Sequence, residues 1–278
     1  MTPLDLPQVL AAVRQLPALP DIVLKVLQTF QQDDPDIDLL AREIGHDQAL
    51  AARVLRLANS PFYGLQSRVG TLHDAITVLG FRNVRAAVAG VAVMRCFAPD
   101  RCSGLDMVAF WNHSTAVALA SRAVARSSQL PEELAFTAGL VHDVGVLALL
   151  SAFPGPMAEV LAYARQHDCF LREAERDVLG LNHATVGDAL LRHWHFPEAI
   201  CTAVLGHHDS DDVGGLADVV HVADVLVHAM AATENSGGHV PPLADLAFNR
   251  LGLSVVKLKQ VMLDVSRNYE PACQALAA

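Results

Sequence analysis

"AGLVHDVGVLALL", residues 138–150, is an apolar run with an imidazole and a carboxylate at its centre, His142 and Asp143. A run of this composition belongs in a core, where an unpaired carboxylate is strongly disfavoured unless something compensates its charge. Length and pattern place it in a helix over 131–150, with both ionisable residues inside it. A metal ion shared with neighbouring helices would compensate the charge. So would a hydrogen-bonded core pair.

On either side of this stretch the pattern is helical. Before it, apolar residues recur at three- and four-residue spacing over 20–31, 37–46, 48–59, 72–80 and 82–97. Thr71 is placed as an N-cap and Gly80 as a helix-ending residue. After "FAPDRCSGLD" (97–106), further helices are expected over 106–127, 155–169, 171–178, 183–194, 197–208, 215–232, 241–249 and 254–267. "TENSGGHVPP" (233–242) is a loop by composition. Alternating strand patterns are nearly absent. The expected fold is all-α in two helical modules, 1–105 and 106–278, the second a bundle.

Composition narrows the function. The 278 residues are 52 % hydrophobic and 18 % charged, a globular balance. The start, "MTPLDLPQVLAAVRQLPALP", lacks the pattern of a secretory signal, and the apolar runs are too short or too interrupted to span a bilayer. A cytoplasmic protein is expected. Five scattered cysteines without a CxxC argue against a disulfide framework and against a thiolate metal site. The net charge of −10 is uneven: residues 1–105 hold ten basic and ten acidic side chains, residues 106–278 ten basic and twenty acidic. The second part also carries eleven of the thirteen histidines. That balance argues against a nucleic-acid surface there and suits divalent cations.

The histidines and aspartates of the second module are spread over several helices. His113 lies early in one, His142 and Asp143 in the quoted stretch, and His183 at a helix start. His207 and His208 lie at a helix end. His221, Asp224 and His228 share one helix face. Imidazole with carboxylate suits Fe, Mn, Zn or Ni. An Asp beside a His can present one oxygen to each of two ions, a pair that can clamp a phosphate. Other readings stand for single residues: Asp224 as a partner of His221, and His207–His208 as a helix C-terminal cap. His167, His193, His195 and His239 lie in polar or loop-like contexts and are left out of the set.

The order His113, His142–Asp143, His183, His207–His208, Asp224 resembles the HD superfamily of metal-dependent phosphohydrolases, and in particular the HD-GYP cyclic-di-GMP phosphodiesterases. "LPALPDIVLKVLQ", "DIDLLAREIGHDQALAARVLRLANSPFYG" and "TLHDAITVLGFRNVRAAV" resemble the HDOD domain, a bacterial signalling module. The resemblance implies that His113, His142, Asp143 and Asp224 hold one metal. Asp143 would bridge to a second, held by His183, His207 and His208. It further implies a regulatory protein that binds divalent metal and acts through contacts with signalling proteins. The alternative is a phosphohydrolase acting on cyclic-di-GMP or another phosphoester, with a two-metal-activated water as nucleophile. In that case Asp143 is the catalytic residue, and His207, His208 or Asp209 assists. Two departures favour the regulatory reading: Val146 stands where HD-GYP enzymes carry lysine, and no Gly-Tyr-Pro follows "GHHD".

A smaller signal competes. "LLAREIGHDQALAARVLRLANS" (39–60) is similar to a helix-turn-helix, with Arg53 and Arg56 on its second helix, which would make the protein a DNA-binding regulator. The neutral charge of this module and the apolar second helix argue against it. In "NSPFYG" (59–64), Phe62 and Tyr63 are placed either between the modules or at a partner surface.

Overall fold

In the computed structural model, residues 4–28, 36–59, 68–97, 102, 104–209, 213–234 and 239–277 are described. Phe62 and Tyr63 lie outside them, as does part of each loop at 97–106 and 233–242. The described residues form helices and connecting turns, with no strand among them. The first helices are α1 (Leu6–Val13), α2 (Asp21–Gln28), α3 (Ile37–Gly45), α4 (Gln48–Ala58), α5 (Leu72–Leu79) and α6 (Phe81–Cys96). The rest of the bundle is α7 (Met107–Ser127), α8 (Glu132–Val141), α9 (Val144–Ala152), α10 (Pro154–His167), α11 (Leu171–Leu179), α12 (His183–His193), α13 (Glu198–Gly206), α14 (Leu216–Glu234), α15 (Asp245–Arg250) and α16 (Val255–Ala277).

Local chemistry sets many of these ends. Thr71 Oγ1 accepts from Asp74 N at 3.1 Å, and Gly80 closes α5 at φ 81°, both as the sequence indicates. Asp106 caps α7 by accepting from Val108 N and Ala109 N, each at 3.0 Å. Asn182 caps α12 through Thr185 N at 3.1 Å.

Two expectations about the elements are corrected, and one helix forms where none was expected. Residues 131–150 are two helices, α8 and α9, with His142 and Asp143 in the break between them. An apolar pattern without polar punctuation cannot show such a break, because both helices are buried on all sides. The proline-rich start forms α1, where Asp5 accepts from Gln8 N at 2.7 Å and a proline occupies the first turn, which lacks intrahelical donors anyway. Finally, α16 runs past residue 267 to Ala277, with Pro271 inside it.

One apolar core extends from Val9 to Ala272. In it α7 packs against α8, α14 and α16, while α12 packs against α9 and α13. An 18-residue stretch within Glu132–Ala152 is apolar enough to cross a membrane, but 83 % of that stretch is buried inside the fold. The turn of the helix-turn-helix-like segment is His46–Asp47, and α4 is covered by α3, α5, α6 and α16. Arg53 on α4 is half-buried.

Candidate metal centre

Two glycines bring the site together. A Cβ on Gly139 would lie 2.6 Å from Ser121 Oγ and 2.9 Å from the Val117 carbonyl oxygen. This close approach of α8 to α7 sets His142 beside His113. A Cβ on Gly145 would lie 1.9 Å from the His183 carbonyl oxygen and 2.7 Å from Gly187 N. The start of α9 therefore rests on the start of α12, and Asp143 meets His183.

All seven sequence-indicated residues converge. Asp143, His183, His207 and His208 form one group, and His113, His142 and Asp224 a second; within each, one donor atom per residue lies within 4.8 Å of the others. Asp143 faces both groups. Its Oδ2 is 3.3 Å from His142 Nε2, while its Oδ1 is 3.2 Å from His183 Nε2 and 3.5 Å from His207 Nε2. Asp224 Oδ1 lies 3.1 Å from His113 Nε2 and 3.8 Å from His142 Nε2.

The far sides of the rings are braced. His142 Nδ1 donates to the Gly139 carbonyl at 2.8 Å, and His207 Nδ1 to the Val204 carbonyl at 2.6 Å. His183 Nδ1 donates at 2.6 Å to Oε2 of Glu175, a fully buried carboxylate on α11 that also accepts His183 N at 2.8 Å. Such braces fix the ring and leave Nε2 as the ligating atom. The buried atoms His142 Nε2, His207 Nε2 and Asp224 Oδ1 make no hydrogen bond of good geometry, although each lies within 3.1–3.5 Å of another cluster residue. Buried imidazole and carboxylate atoms drawn together in this way are the donor set of a divalent first-row ion, and the residues fit one.

The groups are strongly coupled electrostatically. Burial opposes charging of His142, but the carboxylates of Asp143 and Asp224 outweigh it and raise the ring to about 9. Burial likewise opposes charging of His183, which Glu175 and Asp143 raise to about 10. Asp143 is held well below the usual carboxylate range against its burial, by His142 and His183. Asp224 is lowered to about 2 against the same penalty, chiefly by His113 and His142. Burial and the neighbouring rings push His207 down, and His208 further.

Other residues sort themselves by geometry. His221 has both nitrogens occupied: Nδ1 donates to the His207 carbonyl at 2.9 Å, and Nε2 accepts from Ala244 N at 3.1 Å. It is a structural tie, and Asp224 does not pair with it. His228, on the same face of α14, lies 3.4 Å from Asp224 Oδ1 with its ring 4.8 Å from that of His113. His167, His193, His195 and His239 are exposed and outside both groups. Sequence reasoning missed Glu175 and Arg172, both on α11. Arg172 Nη1 donates to His208 Nδ1 at 3.2 Å. Nothing in a polar helix such as "LREAERDVL" marks which of its charges face inward.

The HDOD domain model matches residues 16–210, which hold six of the seven clustered residues. The chain belongs to the HDOD domain family. It is similar over 98 % of both chains to an HDOD domain protein of unknown function from Geobacter sulfurreducens, at 26 % identity and TM-score 0.76. Two further solved structures share the fold. A candidate phosphohydrolase from Shewanella amazonensis SB2B is 24 % identical, with TM-score 0.77 over 96 % of this chain and 97 % of that one. A candidate signal transduction protein from Marinobacter aquaeolei VT8 is 21 % identical, with TM-score 0.77 over 98 % of this chain and 65 % of that one. The match to a curated relative from Treponema pallidum is 21 % identical over 199 residues and covers 71 % of this chain but only 38 % of the relative.

Proposed function

We propose that this HDOD protein is a cytoplasmic, bacterial regulatory protein of signal transduction that holds divalent metal, two ions of the Fe, Mn, Zn or Ni class, between α7, α8, α12, α13 and α14. It acts through contacts with signalling proteins. The observation that carries the metal reading is the convergence of three buried donor atoms without a well-formed hydrogen bond, His142 Nε2, His207 Nε2 and Asp224 Oδ1, on the other cluster residues. Asp143 turns one oxygen to each group, as a shared ligand does, and Glu175 holds His183 with Nε2 inward. His113 completes the first group and His208 the second. When bound, such ions supply Lewis acidity and charge compensation for an anionic ligand.

A phosphohydrolase acting on a cyclic dinucleotide or another phosphoester is the second reading, favoured by the partly exposed carboxylate of Asp143. Val146 argues for the regulatory one: it is 4 % exposed, within the apolar core, and brings no charge to the site. The deciding experiment is metal analysis of anaerobically purified protein beside hydrolysis assays with cyclic-di-GMP and bis(p-nitrophenyl) phosphate. Two metal equivalents without turnover support regulation. Turnover lost in Asp143→Ala makes the protein an enzyme, and absence of metal overturns the site. Asp143→Ala is expected to lose metal from both groups.

A further inference from the structure

The geometry points to Arg172 as the residue of this centre that binds the phosphate group of a phosphate ester. The inference rests on the metal reading above and names the ligand class it implies.

A guanidinium offers five N–H donors in a planar fork. That of Arg172 is half-buried, lies 5.2 Å from the centre of the Phe170 ring, and donates to His208 Nδ1. Phe170 in turn packs edge-on against His239, with ring centres 5.5 Å apart. Among the described residues, no carboxylate lies within ion-pair reach of Arg172. The other arginines of this neighbourhood have carboxylate partners: Arg176 pairs with Asp209 at 2.5 Å, and Arg250 grips Asp218 with two donors. An arginine braced by an aromatic ring, touching a cluster residue and lacking an anionic partner is arranged to receive an anion from solution. Its fork matches two phosphate oxygens.

A groove lies further along α11, lined by sequence neighbours of the cluster residues but by neither Arg172 nor the cluster itself. Arg176, one turn further along α11, lines this groove of about 770 Å³. Asn182, Gly206 and Asp209 also line it, next in sequence to the cluster residues His183, His207 and His208. Leu181, Leu205 and Val213 add apolar wall. This volume is in the range of small-molecule sites, and a few polar groups on an apolar wall are their usual lining. Arg172, which is not among the groove's lining residues, would take the phosphoryl group beside His208.

The test is calorimetric titration of Mn²⁺-loaded protein with inorganic phosphate and with AMP, with metal content measured for every variant. Arg172→Ala is expected to weaken both ligands about tenfold or more without changing metal content. Arg172→Lys should recover part of the loss. Arg176→Ala, which removes an arginine already paired with Asp209, should leave phosphate affinity unchanged. Phosphate affinity within twofold of the parent in Arg172→Ala would overturn the assignment while leaving the metal reading intact. So would loss of metal together with phosphate, which would make Arg172 only a brace for His208. Protein that holds no metal would overturn the metal reading and this assignment with it.

Discussion

The two halves of the cluster are built differently. In the half formed by Asp143, His183, His207 and His208, two rings are clamped from behind, by Glu175 and by the Val204 carbonyl, and Arg172 leans on a third. In the half formed by His113, His142 and Asp224, the brace is the Gly139 carbonyl on His142, and among the described residues nothing holds Nδ1 of His113. There Asp224 is the one carboxylate that His113, His142 and His228 approach, at 3.1, 3.8 and 3.4 Å. The first half has its rings held from behind by neighbouring groups. The second is drawn together by a single carboxylate, with His228 as a spare imidazole.

The comparison breaks most sharply at Gly145. Gly145→Ala would force α9 off the His183 carbonyl, remove metal from the braced half, and lower stability by about 3 kcal/mol, the upper range for overpacking. Calorimetric melting and Mn²⁺ titration would read both effects; unchanged metal stoichiometry would contradict this account. Glu175→Gln sharpens the comparison. Losing the carboxylate behind His183 should weaken the braced half by about 10- to 100-fold and leave the other half unchanged. Equal weakening at both halves would mean that they are not separate.

His221 tests the same contrast from outside. His221→Ala leaves the His207 carbonyl and Ala244 N unpaired, so about 1–3 kcal/mol of stability should be lost. Metal stoichiometry should not change. The smallest effect is expected at Asp47, which caps α4 by accepting from Leu50 N at 3.0 Å and pairs with Arg95 at 2.9 Å. Asp47→Ala should cost about 1 kcal/mol. The Leu50 N–H, and after it Arg95, hold the Asp47 carboxyl below its ordinary 3.8. Its contribution is therefore present above pH 3.8 and lost as pH falls through the lower folded value. Acid titration of the two proteins should converge there, while Glu175→Gln keeps its metal defect at neutral pH.

The spacing of apolar residues carries the all-α class, and the caps at Thr71 and Gly80 carry a helix boundary, because helix ends are local chemistry. His142 and Asp143 also stood out, since ionisable residues inside an apolar run conflict with burial, while the full set of seven came from the family resemblance. Yet His221 is as buried and as well placed on its helix as Asp224. Only the fold shows that main-chain groups occupy both of its nitrogens.

The sequence alone determined the helical fold and the family resemblance, which supplied the candidate ligand set, because periodicity and motif order are one-dimensional properties. Tertiary structure decided the rest. It broke 131–150 at His142–Asp143, joined α9 to α12 through Gly145, and turned Glu175 and Arg172 toward the cluster. Those outcomes depend on which helix faces meet. Their closeness is set by packing between elements far apart in the chain, which no local pattern records.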